Sequence, residues 1–233
     1  AADPSDQRRA VFEEMGVAVT ASNGQVISGS EQIVLAVKPQ MLDAIADDLG
    51  SIAGDAQVTI SIMAGIRMAK LEAAIGGDAR VVRVMPNTPV MVGAGMAGIA
   101  CGAHARPGDE QLAVDLFSAA GEAVVVPEDQ LDAITAVSGS GPAYLFYLAE
   151  AMTLAARRLG LADEADLLVR QTLAGAVKLL NDSDDSAAEL RRKVTSPGGT
   201  TEAACNHLDG NKTLEVFANA IDAAHRRSVE LGE

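Results

Sequence analysis

Residues 32–39 read Gln-Ile-Val-Leu-Ala-Val-Lys-Pro, a short apolar run that Lys38 and Pro39 bring to an end. Three further apolar runs follow, at residues 57–62, 80–85 and 123–126. Short, β-branched runs that are apolar throughout are typical of strands buried on both faces of a sheet. Helical patterns lie between them, at residues 41–49, 67–75 and 109–120. This alternation predicts an open, doubly wound α/β domain with a parallel sheet.

The second half of the chain lacks strand patterns. Residues 129–159 are mostly helical, with a break at Ser-Gly-Ser-Gly-Pro (138–142), and helical faces follow at 165–180 and 214–228. We therefore place a domain boundary near residue 127, with the α/β domain at residues 1–127 and an all-α domain at residues 128–233. The apolar faces of its helices fit either an internal core or contact with a second copy of the chain.

The composition excludes some functional classes. Of 233 residues, 48% are hydrophobic and 21% are charged, which is ordinary for a soluble globular chain. The net charge of −14 disfavours contact with a nucleic-acid backbone, and 3% aromatic residues provide few platforms for base stacking. We therefore expect no nucleic-acid partner.

The sequence also argues against disulfides, metals and membrane insertion. Cys101 and Cys205 lie far apart without CxxC spacing and the three histidines are scattered, so we expect no metal site and a reducing cytoplasm. Residues 84–103 carry no charge, but their prolines and glycines would leave backbone groups unpaired in lipid. We expect a buried loop and strand there. Residues 1–12 lack the apolar segment of a signal peptide.

The start of the chain lacks the G-x-G-x-x-G loop that usually opens a dinucleotide-binding domain. Ala-Ala-Asp-Pro-Ser at 1–5 looks like the end of a second strand followed by a helix, and Val-Ala-Val-Thr at 17–20 would be a third strand. We therefore expect a first strand, a glycine loop and a helix upstream of Ala1, in roughly 30 residues. Without them, this chain should bind NAD(P)H poorly.

Five stretches have the composition of ligand-binding loops. Small residues and prolines end three strands, at 36–39, 61–65 and 85–89, where a dinucleotide could approach the backbone. Residues 194–203 place two glycines and several hydroxyls before a helix, whose first N–H groups suit a carboxylate. The break at 138–142 could be a kink where the backbone approaches a ligand. Each pattern also fits an ordinary loop, or a turn capped by Thr200 or Thr201.

Four motifs occur in order along the chain. They are Ala-Val-Lys-Pro at 36–39, Met-Pro-Asn-Thr-Pro at 85–89, Ser-Gly-Ser-Gly-Pro-Ala-Tyr at 138–144 and Val-Thr-Ser-Pro-Gly-Gly-Thr-Thr-Glu-Ala-Ala-Cys-Asn-His-Leu-Asp at 194–209. Together they resemble the pyrroline-5-carboxylate reductases over essentially the whole chain, and the last looks like the family signature, with Cys205 at a usually aliphatic position. The resemblance implies an N-terminally incomplete Rossmann-like sheet followed by an all-α helical dimerisation domain.

The same resemblance implies reduction of 1-pyrroline-5-carboxylate to L-proline by NADPH, or by NADH, in a homodimer or a ring of dimers. It assigns catalysis to Ser196 and Thr201, with Thr201 hydrogen-bonded to the imine nitrogen as our hypothesis for the proton donor. Substrate binding falls to these two residues and to Gly198, Gly199, Thr200 and Glu128. Cofactor binding falls to Asn23, Ala36, Val37, Lys38, Pro39, Ser61, Met63, Ala64, Gly65 and Asn87.

Two other functions stay open on the sequence alone. A related imine or 2-oxo-acid reductase of the 6-phosphogluconate or hydroxyisobutyrate dehydrogenase type would need a lysine on its interdomain helix, and residues 129–159 contain none. A non-catalytic oligomeric module would dimerise without binding NADPH. The choice between NADPH and NADH is open too, because the acidic Asp3 and the basic Arg8 and Arg9 all follow the predicted second strand.

Overall fold

A five-stranded sheet in the order β1-β2-β3-β4-β5 organises the first half of the computed structural model, which describes residues 1–52, 56–76 and 78–232. The strands are β1 (Gln32–Leu35), β2 (Val58–Ser61), β3 (Arg80–Pro86), β4 (Gly95–Cys101) and β5 (Gly121–Val125). β1, β2 and β3 pair in parallel, as do β4 and β5. This mainly parallel sheet confirms the predicted α/β class.

The helices that accompany the sheet are shorter than the patterns predicted. They are α1 (Asp6–Glu14), α2 (Asn23–Ser28), α3 (Ala46–Leu49), α4 (Met68–Ile75), α5 (Gln111–Ser118) and α6 (Leu131–Ile134). The stretch 41–49 forms two 3-10 turns before α3, not one helix. The strand predicted at 17–20 is reduced to one parallel bridge between Thr20 and Ala2, because the chain turns almost at once into α2, which Ser22 caps.

The sheet departs from a wholly parallel arrangement at β4. Its pairing with β3 is antiparallel, so β4 and β5 run opposite to the first three strands. Residues 87–94 are too few for the crossover that a parallel neighbour of β3 would need. The uncharged stretch 84–103 therefore contains a buried strand, as predicted, but its loop is exposed and not buried, with Met91 85% and Val92 80% exposed. The antiparallel β4 also departs from the parallel sheet predicted for the domain.

The centre of the sheet is buried on both faces, whereas its outer strands are partly exposed. Val81 and Val82 are successive residues of β3 and join two different hydrophobic clusters, which also include Leu71 and Phe117 respectively. Burial on both faces is therefore correct for β2 and β3. It is wrong for β1 and β5, where Val34 is 44% and Val125 is 52% exposed, because these strands lie at the two ends of the strand order.

Two compact units divide the chain. The sheet unit contains Ala1–Gly139 and Ala224–Glu233, and the helical unit contains Ser140–Ala223. The helical unit is built from α7 (Gly141–Arg158), α8 (Ala165–Asn181), α9 (Ala187–Lys193), α10 (Thr200–Gly210) and the first part of α11 (Thr213–Gly232). The functional boundary near residue 127 stays a prediction.

The predicted break before α7 is a π-helical segment, Thr135–Gly139, which continues directly from α6. Ser140 then precedes α7, with Pro142 in its first turn. A π turn inserts an extra residue and leaves carbonyl groups available to other partners, and such turns are frequent at functional sites. The break is therefore a change of helix type and not a loop.

The ion pair between Arg80 and Asp109 joins the first residue of β3 to the loop before α5. Arg80 Nε donates to Asp109 Oδ2 at 2.9 Å, its Nη2 contacts Oδ1, and the Asp109 side chain is nearly buried. The hydrogen-bonded guanidinium lowers the pKa of Asp109 below its ordinary value. The pair therefore stabilises the fold above a pH of about 4, and this stability is lost as the pH falls through the lower folded value.

We expect Asp109→Asn to lower the free energy of unfolding by about 2 kcal/mol at neutral pH, because Arg80 loses its charged partner. Urea unfolding at one protein concentration measures the change. The difference from wild type should shrink in acid, as the pH falls through the lowered folded pKa of Asp109, because Asp109 is then protonated in the wild type too. Asp115→Asn, an exposed change on α5, is the control. A difference that does not change with pH would contradict this account.

Candidate active site

The loops that follow β1 and β2 begin side by side at one edge of the sheet. Ile62 N donates to Leu35 O at 3.1 Å, and Leu35 pairs with Ser61 in the parallel register. The structure therefore brings together the two strand ends, with their loops, that contain eight of the predicted cofactor residues: Ala36, Val37, Lys38, Pro39, Ser61, Met63, Ala64 and Gly65. The carboxyl ends of parallel strands are where α/β domains bind ligands.

The second of these loops, residues 62–67, presents backbone and not side chains. Ser61 is fully buried and its Oγ accepts a hydrogen bond from Met63 N at 3.3 Å, while Met63 is also buried. Ala64 is exposed and Gly65 is half-buried, with a φ of 74° that favours glycine. The residues thus fit a flat nicotinamide cofactor: Ala64 and Gly65 leave the backbone accessible, and Ser61 and Met63 shape the turn beneath it.

Two predicted cofactor residues, Asn23 and Asn87, have side chains engaged within the sheet unit. Asn23 Nδ2 donates to Asp48 Oδ2 at 2.8 Å. Asn87 Nδ2 donates to Ser138 O at 3.0 Å, and its Oδ1 accepts from Met96 N at 2.8 Å. Asn87 thereby fastens the end of β3 to the start of β4 and to the π-helical segment. Direct contact of either side chain with the cofactor stays a prediction.

Glu128, predicted near the substrate, makes two hydrogen bonds inside the sheet unit. Its Oε1 accepts from Met68 N at 2.6 Å and from Arg83 Nη1 at 2.9 Å. Arg83 is a buried residue of the central strand β3, so Glu128 balances a charge that would otherwise be unpaired. A role of Glu128 in substrate binding stays a prediction.

Arg83 and Asp132 are polar residues that the sequence analysis overlooked. Asp132 is buried, and its two oxygens accept from Arg67 and from Ser228. The sequence contained one usable signal, which is the arginine inside the apolar run at 80–85. A charge within a buried strand requires a partner, but the sequence does not say that Glu128 is that partner.

The signature stretch, residues 194–209, forms the turn between α9 and α10 and most of α10. Gly199 is the N-cap of α10, not Thr200 or Thr201, and no side chain of the described chain caps that helix. Thr200 and Thr201 are its first two residues, so their N–H groups lie in the first turn, where the helix provides no partner of its own. Gly198 has a φ of 72°, and Ser196 and Thr200 are exposed. The turn therefore has the open amides of an anion site.

A carboxylate of the chain itself lies on this turn. Glu202 Oε2 accepts a hydrogen bond from Gly198 N at 2.8 Å, so that one loop amide is already occupied. The amides of Thr200 and Thr201 and the Ser196 hydroxyl are the groups the turn offers to a ligand. Ser196, Gly198, Gly199, Thr200 and Thr201 are all brought together here, in the helical unit.

The described ranges contain no group of three or more His, Cys, Asp or Glu side chains placed to hold a metal ion. Within the same residues, every helix is too short or too polar to cross a membrane. The two cysteines, Cys101 and Cys205, are both free thiols.

Comparison with known proteins agrees with this architecture. Residues 128–231 match the family described as pyrroline-5-carboxylate reductase dimerisation, and residues 1–65 match the NADP oxidoreductase, coenzyme F420-dependent, family. The chain is 42% identical to the pyrroline-5-carboxylate reductase of Pseudomonas aeruginosa, covering 100% of this chain and 86% of that protein. It is 39% identical to the Synechocystis enzyme, covering 99% of this chain and 86% of that one.

Solved structures show the same similarity. The pyrroline-5-carboxylate reductase of Coxiella burnetii superposes with a TM-score of 0.90 at 36% identity, over 100% of this chain and 87% of that one. The Plasmodium falciparum pyrroline carboxylate reductase, solved with NADP bound, gives a TM-score of 0.81 at 32% identity, over 93% and 83% of the two chains.

The sheet, the strand-end loops and the helical region define an oxidoreductase of the dinucleotide-binding class. Within that class, the identities and coverages above leave one assignment. The chain belongs to the pyrroline-5-carboxylate reductase family.

Proposed function

We propose that this chain reduces 1-pyrroline-5-carboxylate to L-proline with NADPH, the last step of proline biosynthesis. The observation that carries the proposal is the uncapped first turn of α10, which presents amide N–H groups beside two threonine hydroxyls. A small cyclic imine with one carboxylate needs these two kinds of partner and no metal. We assign cofactor binding to residues 1–127, and substrate binding and dimerisation to residues 128–233.

Reduction of the imine requires mainly that the protein align the nicotinamide with the imine carbon. Bound NADPH supplies a hydride to the imine carbon, and one proton must reach the ring nitrogen. Protonation makes the imine a good hydride acceptor, so the protein needs to hold the ring in place and exclude water. No strong base is needed.

The turn before α10 would hold both ends of the substrate. The amides of Thr200 and Thr201 and the Ser196 hydroxyl would donate to the carboxylate, and Gly198 and Gly199 allow the chain to approach closely. The Thr201 hydroxyl would donate to the imine nitrogen and pass on the proton. Glu128, which holds Arg83 and Met68 in the sheet unit, is the weaker part of the substrate assignment.

The cofactor would lie across the ends of β1 and β2. Ala36, Val37, Lys38 and Pro39 would contact it on one side, and the backbone of Ala64 and Gly65 on the other. Asn23 would approach the adenosine ribose. Arg9 is held by Asp3 O and the Asp6 carboxylate, whereas Arg8 is exposed and makes only a 3.6 Å ion pair with Asp3 Oδ2. We therefore assign the 2′-phosphate of NADPH to Arg8, which would exchange Asp3 for the phosphate.

The helical unit supports a homodimer. A groove of about 870 Å³ lies between α7 and α8 and is lined mostly by apolar side chains. Phe146 is 65% exposed and lines it, and exposed apolar surface of this kind marks a protein interface. We propose that a second copy covers this face, and that dimers assemble further into rings. We place the reaction in the cytoplasm, where two free thiols are stable.

Loss of nicotinamide absorbance with 1-pyrroline-5-carboxylate tests the proposal directly. We expect oxidation of NADPH that depends on the imine and on the protein, and slower oxidation of NADH. A 2-oxo acid and a 3-hydroxy acid serve as controls and should give no turnover. Turnover of either control without the imine would replace this function with that of a related reductase. Absence of both NADPH binding and turnover would favour the non-catalytic module, whereas NADPH binding without turnover would indicate a different substrate.

Removing the charge of Glu202 should strengthen binding of the substrate. Its carboxylate on Gly198 N repels the substrate carboxylate that the same turn would hold. We expect Glu202→Gln to lower the KM for 1-pyrroline-5-carboxylate about two- to threefold, because a partly solvated charge pair is worth less than 1 kcal/mol. Initial rates at fixed NADPH measure it, with the exposed Glu215→Gln as control. A raised KM would instead mean that Glu202 stabilises the conformation of the turn.

A further inference from the structure

The cofactor loop at residues 62–67 is fastened at its far end by two carboxylates from one turn of chain. Met68 N, in the first turn of α4, donates to Glu128 Oε1 at 2.6 Å. Arg67, the N-cap of α4, donates from Nη2 to Asp132 Oδ2 at 3.0 Å. Both bonds involve a charged group, so they are stronger and more directional than neutral ones. The end of the loop is therefore fixed to residues 128–132.

The last turns of α11 complete this set of contacts, in which Glu128 and Asp132 hold Met68 and Arg67 and which we call the clamp. Ser228 Oγ donates to Asp132 Oδ1 at 2.7 Å, so both oxygens of that carboxylate are engaged. A Cβ placed on Gly65 would lie 3.6 Å from Leu231 Cβ, which is van der Waals contact. A Cβ placed on Gly232 would lie only 2.6 Å from Arg67 Nε. The end of α11 thus packs on the loop and on the arginine that ends it.

The burial of these groups shows that the clamp is more than a surface contact. Asp132 is 4% exposed and follows the buried Leu131 in α6, and Ser228, at 8% exposed, is the one buried residue in the described part of α11. A buried carboxylate is costly unless its partners are well placed. An apolar pair at the same positions would pack α11 without directing the Arg67 side chain. The polar network fixes one orientation for the end of the loop.

We propose that Asp132 and Ser228 are positioning residues for the cofactor: Ser228 orients Asp132, Asp132 holds Arg67, and Arg67 sets the place of the Ala64–Gly65 backbone. The proposal rests on the proposed function in one respect, the assignment of this loop to NADPH. Both residues belong to the sheet unit, whereas the substrate turn belongs to the helical unit. The predicted effect therefore falls on the cofactor and spares the imine.

Ser228→Ala tests the proposal in the whole 233-residue chain. We expect the Kd and KM for NADPH to rise five- to tenfold, while the KM for 1-pyrroline-5-carboxylate changes less than twofold. Ser228→Thr keeps the hydroxyl and should restore NADPH binding. The exposed Arg227→Ala, which breaks only a surface pair with Glu230, is the matched control. NADPH fluorescence gives the Kd, and thermal unfolding without cofactor shows whether each variant is folded.

Gly232→Ala gives an independent test that removes no hydrogen-bonding group. The added methyl group must displace Arg67 from its present position, so NADPH affinity should fall in the same direction. The proposal is overturned if both variants unfold earlier but bind NADPH as the wild type does. If the wild type binds NADPH and does not reduce the imine, the proposed function fails, and the clamp is judged on the NADPH Kd of the variants alone.

Discussion

Thr201→Ala should lower kcat for reduction of 1-pyrroline-5-carboxylate about 100-fold, because the imine nitrogen loses its positioned hydroxyl partner. The loss of general-acid assistance accounts for a factor of that order. The KM for NADPH should stay unchanged, since the cofactor loops belong to the sheet unit. Steady-state rates over a range of both substrates separate the two effects. The expectation applies near neutral pH, where the imine is largely unprotonated.

The conservative variant Thr201→Ser is the control for this prediction. It keeps a hydroxyl at the second residue of α10 and should retain most of the activity. The rate of Thr201→Ala should also recover partly in acid, because the imine is then protonated by solvent. An alanine variant with wild-type turnover at neutral pH would remove Thr201 from the mechanism and leave the turn as a carboxylate site only.

Phe146→Glu should convert the dimer to monomers. The side chain is 65% exposed on α7, at the groove with α8, and a charge there would be buried without a partner in the proposed interface. Large aromatic residues at interface centres commonly contribute 2 kcal/mol or more, so we expect the dimer Kd to rise at least about thirtyfold. Light scattering over a dilution series at micromolar protein measures the change.

Leu116→Glu is the matched control for dimerisation. Leu116 is a similarly exposed apolar residue, but it belongs to α5 of the sheet unit. The mass of the Leu116→Glu variant in solution should remain twice the mass of one chain. Dissociation by both variants would mean that the groove is not the interface, and a wild type that is monomeric at micromolar concentration would refute the dimer itself.

Much of the fold follows from local sequence patterns. The runs at 57–62 and 80–85 became the central strands because their β-branched residues face both layers of the core. The direction of β4 could not be predicted in that way. It depends on the length of the connection after β3, which the prediction of a wholly parallel sheet did not take into account.

The candidate site, too, was predictable only where it depends on local sequence patterns. Residues 36–39 and 61–65 were predictable as neighbours because parallel strands end at one edge, and Ile62 bonds to Leu35 there. The partners of Glu128, Asn87 and Asp132 were not, because side-chain hydrogen bonds across 45 to 96 positions of chain leave no periodic trace. The resemblance supplied residue roles but not these contacts.

The most direct measurement of the central claim is the fate of the hydride. The protein is incubated with 1-pyrroline-5-carboxylate and with NADPH deuterated at the transferable position of the nicotinamide, and the proline formed is examined by mass spectrometry and NMR. The account predicts one deuterium in proline, on the ring carbon next to nitrogen that does not bear the carboxylate. Consumption of NADPH without labelled proline, or no consumption at all, would contradict it.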